Sequence, residues 1–139
     1  MTSAHASSPA PEELLAESES LLEASQEALR QRDLLAAAPL AFDALRAALW
    51  AARSRQSLPA AKDTSLLSAA EELGRAADLD CLATKIAPLL CLGLDLRDAP
   101  RDTVRLSRLI SAAHEVIRNL QTLAGAGARF PGRDRGSQP

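Results

Sequence analysis

Apolar residues recur at helical spacing from the first third of the chain onward. Their interval near the start is seven residues, in two adjacent rows: Leu14, Leu21 and Ala28, then Leu15, Leu22 and Leu29. Positions seven apart lie on nearly the same side of an α-helix, so the rows predict an amphipathic helix of about five turns from about Glu12. Ser18 and Ser25 fall on the same face, where small side chains would let a neighbouring helix approach closely.

A second apolar stripe follows the polar segment 30–33. Its members are three or four residues apart: Leu35, Ala38, Phe42, Leu45, Leu49 and Ala52. Asp33 is a suitable N-cap for this helix. Pro39 interrupts the stripe, so either the helix bends at Pro39 or its regular part begins there.

The short connection between these two amphipathic helices makes them antiparallel neighbours. The sequence therefore predicts a helical hairpin from about Glu12 to about Arg55, with Pro39 as its weak point. The predicted contact pairs two sets of side chains: Leu14, Leu21 and Ala28 against Leu35, Phe42 and Leu49.

Two shorter helices are predicted after the hairpin. The third helix is expected to be capped by Asp63 or Thr64 and to end near Gly74. The fourth is expected to be capped by Asp78 or Asp80, and its end is left open by a proline and a glycine within it.

The last helix is predicted to follow a loop over residues 94–101. Asp102 can cap it, and its apolar positions continue at helical spacing to residue 123. Gly125 and Gly127 are expected to end it.

The composition favours helices throughout. Alanine and leucine dominate the apolar residues, and there are one Trp, two Phe and no Tyr, so few side chains suit a sheet. The 139 residues fit one domain, which we place at 12–125, between a disordered lead over 1–11 and a disordered Gly/Pro/Arg tail over 126–139. The fold class is predicted to be all-α, an antiparallel bundle of four to five helices around the N-terminal hairpin.

Charge and cysteine content limit the classes of partner and compartment. The net charge is −2, from 16 basic and 18 acidic residues, so the chain as a whole does not attract nucleic acid. Cys81 and Cys91 are too few for a disulfide framework, and we expect both to be buried free thiols. No apolar run is expected to reach the ~18 residues of a membrane span, and the N-terminus lacks a secretory pattern. The chain is therefore predicted to be cytoplasmic, without a membrane partner.

The motifs of the common enzyme classes are missing from this sequence. It holds no Gly-rich phosphate loop, no H-E-x-x-H and no nucleophile elbow, and its histidines and cysteines lack zinc-ligand spacing. We therefore expect neither a cofactor nor a metal. The one catalytic candidate is His114, the only histidine inside a predicted helix, which follows Arg108 by six positions. In an RNase a His moves a proton while an Arg stabilises the phosphorane charge. Six positions rotate about 240° on a helix, so the pair needs a dimer partner or a break to meet.

The order of elements resembles the HEPN superfamily, small helical bundles of bacteria and archaea. The likeness begins at the hairpin, where Asp33 is followed by a row that is similar to the family's second helix: Ala37, Ala41, Ala44, Leu45 and Leu49. It continues with TSLLSAAEELG (64–74) as the third helix, LDLRDAP (94–100) as the closing loop and RLSRLISAAHEVIRNL (105–120) as the last helix. The resemblance implies an RNase of toxin–antitoxin or defence systems that works as a dimer and uses Arg108 and His114. Three features depart from the family pattern: Leu109 follows the Arg, no Tyr follows His114, and the motif lies well inside the last helix.

Three functional hypotheses follow. The leading one is a non-catalytic helical interaction module that acts as a homodimer or binds a protein partner, because a long Leu/Ala stripe is combined with no assembled active site. The second is the HEPN-type RNase, for which RNA is the substrate. The third is a tetratricopeptide-like, peptide-binding adaptor, since the alanines of the hairpin also resemble that helix pair.

Overall fold

The computed structural model describes residues 10–58, 65–78 and 81–129. Within these ranges the chain forms five helices and no strand: α1 (Pro11–Arg30), α2 (Leu34–Arg55), α3 (Leu66–Ala77), α4 (Leu82–Asp98) and α5 (Thr103–Arg129). The predicted all-α bundle around an N-terminal hairpin is confirmed.

The turn between α1 and α2 reverses the chain within three residues. Arg32 adopts a left-handed conformation with φ of 64°, and the Asp33 N–H donates to the Ala28 carbonyl at 2.8 Å, which closes the end of α1. The helices are antiparallel, since the Ser18 hydroxyl donates to the Ala44 carbonyl at 3.0 Å.

Small side chains form the contact between α1 and α2. Ser18 and Ser25 are fully buried, as their spacing predicted. The helix that packs against them, α2, buries mostly alanines. The buried apolar residues of α2 are Ala37, Ala41, Ala44, Leu45, Ala47, Ala48, Leu49, Ala51 and Ala52. Side chains this short let the two helix axes approach closely.

The predicted pairing of the hairpin is wrong in part. Leu14, Ala28 and Leu49 are buried as expected, but Leu35 is 56% exposed, and Leu21 and Phe42 are half-buried. The physical reason is that the alanine stripe packs more closely against α1 than a stripe containing Leu and Phe could. The two large side chains therefore lie on the other side of α2.

Helix α2 is the centre of the bundle and packs against α1, α5 and α3. By length and composition alone it is also long and apolar enough to cross a membrane, so the expectation that no apolar run reaches that length is wrong. Ten of its 22 residues are buried within the bundle. A core helix of a globular protein has the same apolar composition.

Helix α5 completes the core beside α1 and α2. It runs antiparallel to α1, because Gln26 contacts His114 while the earlier Glu19 contacts the later Arg118. Its buried side chains recur at three- and four-residue steps: Leu106, Leu109, Ile110, Ala113, Val116, Ile117, Leu120 and Ala124.

The buried Arg53 joins α2 to α3. Its guanidinium donates to the Ala69 carbonyl at 3.1 Å and to Glu72 Oε1 at 2.8 Å. A buried cation needs such partners, because leaving it unpaired would cost several kcal/mol, about 3–5.

Proline and glycine interrupt the helices less than the sequence suggested. Helix α2 begins at Leu34 and continues through Pro39, so the alternative of a start at Pro39 is wrong. Helix α4 likewise continues through Pro88 to Asp98, which replaces most of the predicted loop over 94–101. The buried Ile86, Leu89 and Leu96 hold α4 against the core on both sides of Pro88, and this packing opposes the local cost of a proline.

The helix ends follow the predicted caps only in part. Asp102 accepts a hydrogen bond from the Arg105 N–H at 3.1 Å, as expected of an N-cap. Ser65 caps α3 through the Ser68 N–H at 3.1 Å, whereas Asp63 and Thr64 lie outside the described residues. Asp33 stands at the N-cap of α2 without a side-chain cap bond.

Two further boundary predictions are wrong. Asp78 is the left-handed C-cap of α3 rather than the N-cap of α4, and Asp80 lies outside the described residues. Helix α5 continues past Gly125 and Gly127 to Arg129. Residues 1–9 of the predicted lead and 130–139 of the predicted tail are also outside the described ranges.

Both cysteines are exposed, so the expectation of buried thiols is wrong. Helix α4 buries Leu82, Ile86 and Leu89. Cys91 follows Leu89 by two positions, which turns it by about 200° to the solvent side of the helix.

Candidate functional site

An apolar groove of about 500 Å³ lies between α2 and α4. One wall is the outer side of α2: Leu34, Leu35, Ala38, Pro39, Phe42 and Arg46. The other wall is formed by residues of α4: Leu90, Gly93, Leu94, Leu96 and Arg97. Three residues outside these two helices also line the groove: Leu66, Pro100 and Leu106.

The two walls touch where the Phe42 ring lies on the backbone of Gly93. A β-carbon at Gly93 would lie 2.8 Å from Phe42 Cζ and 2.9 Å from Phe42 Cε2, which is closer than carbon atoms pack. Glycine at this position therefore permits the contact. The groove extends along both helices from that point.

The helices that wall the groove run in opposite senses. Both α2 and α5 are antiparallel to α1, so they share one direction. Helix α4 is joined to α5 by the four residues 99–102, and a connection this short reverses the chain. Residues that follow Phe42 and residues that follow Gly93 therefore lie on opposite sides of the contact.

Large apolar side chains of the groove face solvent. Leu35 is 56% exposed and Leu94 is 60% exposed, while Phe42 and Leu90 are half-buried. A contiguous apolar patch with polar edges marks a binding surface more often than scattered single leucines do.

The charged groups that line the groove are both cationic. Arg46 projects from α2 and Arg97 from α4. Arg46 approaches Asp43 Oδ1 at 3.6 Å, and both of these side chains are more than half exposed. The described residues provide no ion pair to Arg97. The groove thus combines an apolar floor with a positive edge.

The second site of interest is His114, which lies half-buried on the side of α5 that faces α1. Its Nδ1 is 2.9 Å from Gln26 Nε2, and its Nε2 accepts from the Arg118 Nε–H at 3.2 Å. Both ring nitrogens are therefore engaged within the protein.

Arg118 has only donors, so its contact makes Nε2 of His114 the acceptor. The donor and acceptor roles in the contact between Gln26 Nε2 and His114 Nδ1 depend on the tautomer of the ring. A proton acceptor at Nε2 would have to lose the contact with Arg118.

Arg118 is held in turn by Glu19. Its Nη1 lies 2.6 Å from Glu19 Oε1 and its Nη2 lies 3.2 Å from Oε2, a forked pair. The hydrogen bond from Arg118 lowers the pKa of Glu19 below the ordinary glutamate value of 4.5, and the hydrogen bond to Glu19 raises the pKa of Arg118. The network joins α1 to α5.

The structure does not bring the predicted catalytic residues together within one protomer. Arg108 is exposed, and it lies on the solvent side of α5, about 120° around the helix from His114. A shallow cleft of about 460 Å³ beside His114 is lined by Gln26, Arg30 and other residues, without Arg108. Their catalytic role stays a prediction.

The described residues contain no group of three or more His, Cys, Asp or Glu side chains that could hold a metal ion. Glu71 and Glu72 are both exposed, and Glu72 pairs with the buried Arg53.

No protein-family model matches this chain, and no curated protein or solved structure shows significant similarity to it. Membership of the HEPN superfamily therefore stays a prediction from the sequence pattern. A relationship to tetratricopeptide proteins likewise stays a prediction from the sequence pattern.

The groove was not predicted, although the sequence of α2 contains part of the pattern that indicates it. Leu35 and Phe42 are seven positions apart, and they stand beside a parallel row of alanines on the same helix. Two adjacent rows, one of small and one of large residues, indicate two different neighbours. The contribution of Gly93 depends on its contact with Phe42, and no sequence pattern shows that contact.

Proposed function

We propose that this protein is a non-catalytic helical interaction module that binds an amphipathic helix of a protein partner in the groove between α2 and α4. The observation that carries the proposal is the groove itself, with the exposed Leu35 and Leu94 on its two walls.

The dimensions of the groove favour a helix as its occupant. Leu35 and Arg46 are eleven residues apart on α2, which corresponds to a length of about 16 Å. A partner helix of about three turns fits this length and presents apolar side chains at steps of three and four residues.

Burial of the groove would supply the free energy of association. Fully burying a leucine side chain contributes about 1.5–3 kcal/mol, and Leu35 and Leu94 both have more than half of their surface left to bury. Phe42 offers the aromatic anchor that is typical of interface centres.

The arrangement around His114 supports a structural role for that residue. Its ring nitrogens bond to Gln26 and Arg118, and the Glu19–Arg118 pair extends the same network. Such side chains position α5 against α1, whereas a general base requires a nitrogen that is free to meet a substrate.

The test compares two glycine-to-alanine variants. In Gly93→Ala the new β-carbon displaces the Phe42 ring, and the adjacent groove is the space that the ring can enter. In the control, Gly125→Ala, a β-carbon meets nothing within 4 Å. Both changes lie inside helices, so they have similar effects on helix propensity.

The probe is a synthetic, uncharged amphipathic peptide of about 18 residues with a leucine stripe. Binding is measured by amide chemical-shift mapping and by the fluorescence of Trp50, the only tryptophan in the chain. We expect the shifts to cluster on groove residues, and the affinity to fall in Gly93→Ala but not in Gly125→Ala.

Two results would overturn the proposal. One is the absence of groove shifts with the peptide while the protein remains folded. The other is a homodimer in sedimentation that persists in Gly93→Ala, together with no peptide binding, because association would then use a different surface.

A further inference from the structure

We infer that the groove selects an acidic partner helix, one whose apolar stripe carries two carboxylates seven or eight positions apart that pair with Arg46 and Arg97. This inference rests on the proposed function and specifies the chemistry of the partner. Its starting point is that the charged residues lining the groove, within the described part of the chain, are these two arginines.

The positions of the arginines set the spacing. Arg46 follows Phe42 by four residues, and Arg97 follows Gly93 by four residues. Because α2 and α4 run in opposite senses, the two side chains lie on opposite sides of the Phe42–Gly93 contact. Two steps of four residues at 1.5 Å each separate them by about 12 Å along the groove.

A partner helix in the groove matches this separation with seven or eight residues, again about 12 Å at the same rise. Residues seven apart also lie on nearly the same side of a helix. Two carboxylates at this spacing can therefore reach both arginines while the leucines between them contact Phe42.

Nearby acidic residues leave the groove side cationic. Asp43, Asp95 and Asp98 are exposed, and none of them lines the groove. Asp43 Oδ1 approaches Arg46 at 3.6 Å with both side chains more than half exposed, and an exposed pair of this kind contributes little. Arg46 can therefore exchange Asp43 for a carboxylate of the partner, and the planar guanidinium groups of both arginines suit forked pairing.

The experiment compares three synthetic peptides of equal length and leucine stripe. The first carries two glutamates seven positions apart, the second carries them five positions apart, and the third carries two lysines seven positions apart. Residues five apart diverge by about 140° on a helix, so the second peptide keeps the charge but cannot engage both arginines. The protein is the full chain, together with the double variant Arg46→Glu/Arg97→Glu.

We expect the first peptide to bind the unmodified protein up to about 5-fold more tightly than the second, because the second peptide loses one exposed ion pair and such a pair provides at most about this factor. Of the three peptides, the lysine peptide is expected to bind the unmodified protein most weakly and the double variant most tightly. The preference should shrink as salt is added.

Equal affinities for the three peptides, with all of them weakened by Gly93→Ala, would overturn this inference and leave the proposed function standing. Binding of none of the peptides would overturn both. A parallel titration with dodecanoate tests a small amphiphilic carboxylate: if dodecanoate binds in the groove and the peptides do not, the occupant is a lipid-like acid and the inference is wrong.

Discussion

The two sides of α2 show how side-chain size decides how closely two helices pack. Toward α1, alanines such as Ala44 and the buried Ser18 allow close packing and exclude solvent. Toward α4, the ring of Phe42 lies against Gly93, and the groove opens beside it. One helix thus carries a closed interface and an open one, and the open side is where we propose that a partner binds.

The largest effect is expected when the closed side is overfilled. In Ala44→Leu an extra side chain enters a site with no exposed surface, so the free energy of unfolding should fall by about 3 kcal/mol or more. Urea denaturation followed by Trp50 fluorescence measures this change. The matched control on the open side is Leu94→Ala, for which a change within about 0.5 kcal/mol is expected. Equal losses in the two variants would contradict the difference between the sides.

A double-mutant cycle at the open side should give an intermediate effect. In a Phe42→Ala background, Gly93→Ala should stabilise the protein by about 1 kcal/mol, because alanine is the better helix former and the ring is gone. With Phe42 present, displacement of the ring should cancel part of this gain, and the coupling between the positions should be about 0.5–3 kcal/mol. Additive changes would show that the ring moves away at no cost.

A smaller effect is expected at the polar contact between α1 and α5. Since the pKa of Glu19 is lowered in the folded protein, its contribution is present above the ordinary value of 4.5 and is lost as the pH falls through the lowered pKa. Glu19→Gln should reduce the free energy of unfolding at pH 7 by up to about 1 kcal/mol, the usual limit for an exposed pair. The difference between variant and parent should disappear in acid. Glu17→Gln, an exposed change on the same helix, serves as the control.

The smallest effect concerns the catalytic candidates. Arg108→Ala and His114→Ala should match the parent protein when single-stranded RNA is incubated with each and resolved on a gel. The reason is that His114 is bonded at both ring nitrogens and Arg108 lies elsewhere on α5. RNA cleavage by the parent that both variants lose would favour the RNase hypothesis and contradict a non-catalytic module.

The elements with a strong repeat were predictable from the sequence. The heptad rows of α1 and the three- and four-residue steps of α5 each leave one side that must be buried, whichever helix covers it. Asp102 as a cap also followed from local chemistry, because a side-chain oxygen at that place satisfies an N–H of the first turn.

The groove side of the molecule was less predictable. Helix α2 has apolar residues on several sides, so its pattern admits more than one pairing, and Leu35 was assigned to the wrong neighbour. The end of α4 was predicted as a loop because Pro88 and Gly93 are poor helix residues. Burial of the apolar side of α4, including Leu96, opposes that local preference in the assembled bundle.

The sequence alone determined that this chain is helical, where most helices begin, and which side of α1 and α5 must be covered, since these depend on local propensity and on the period of the apolar positions. The tertiary structure decided which side of α2 meets α1, that Gly93 admits the Phe42 ring, and that Arg46 and Arg97 stand at opposite ends of one groove. Those features are contacts between residues far apart in the chain. They form only when the helices pack together, and the size of the side chains between two helices decides how closely those helices pack.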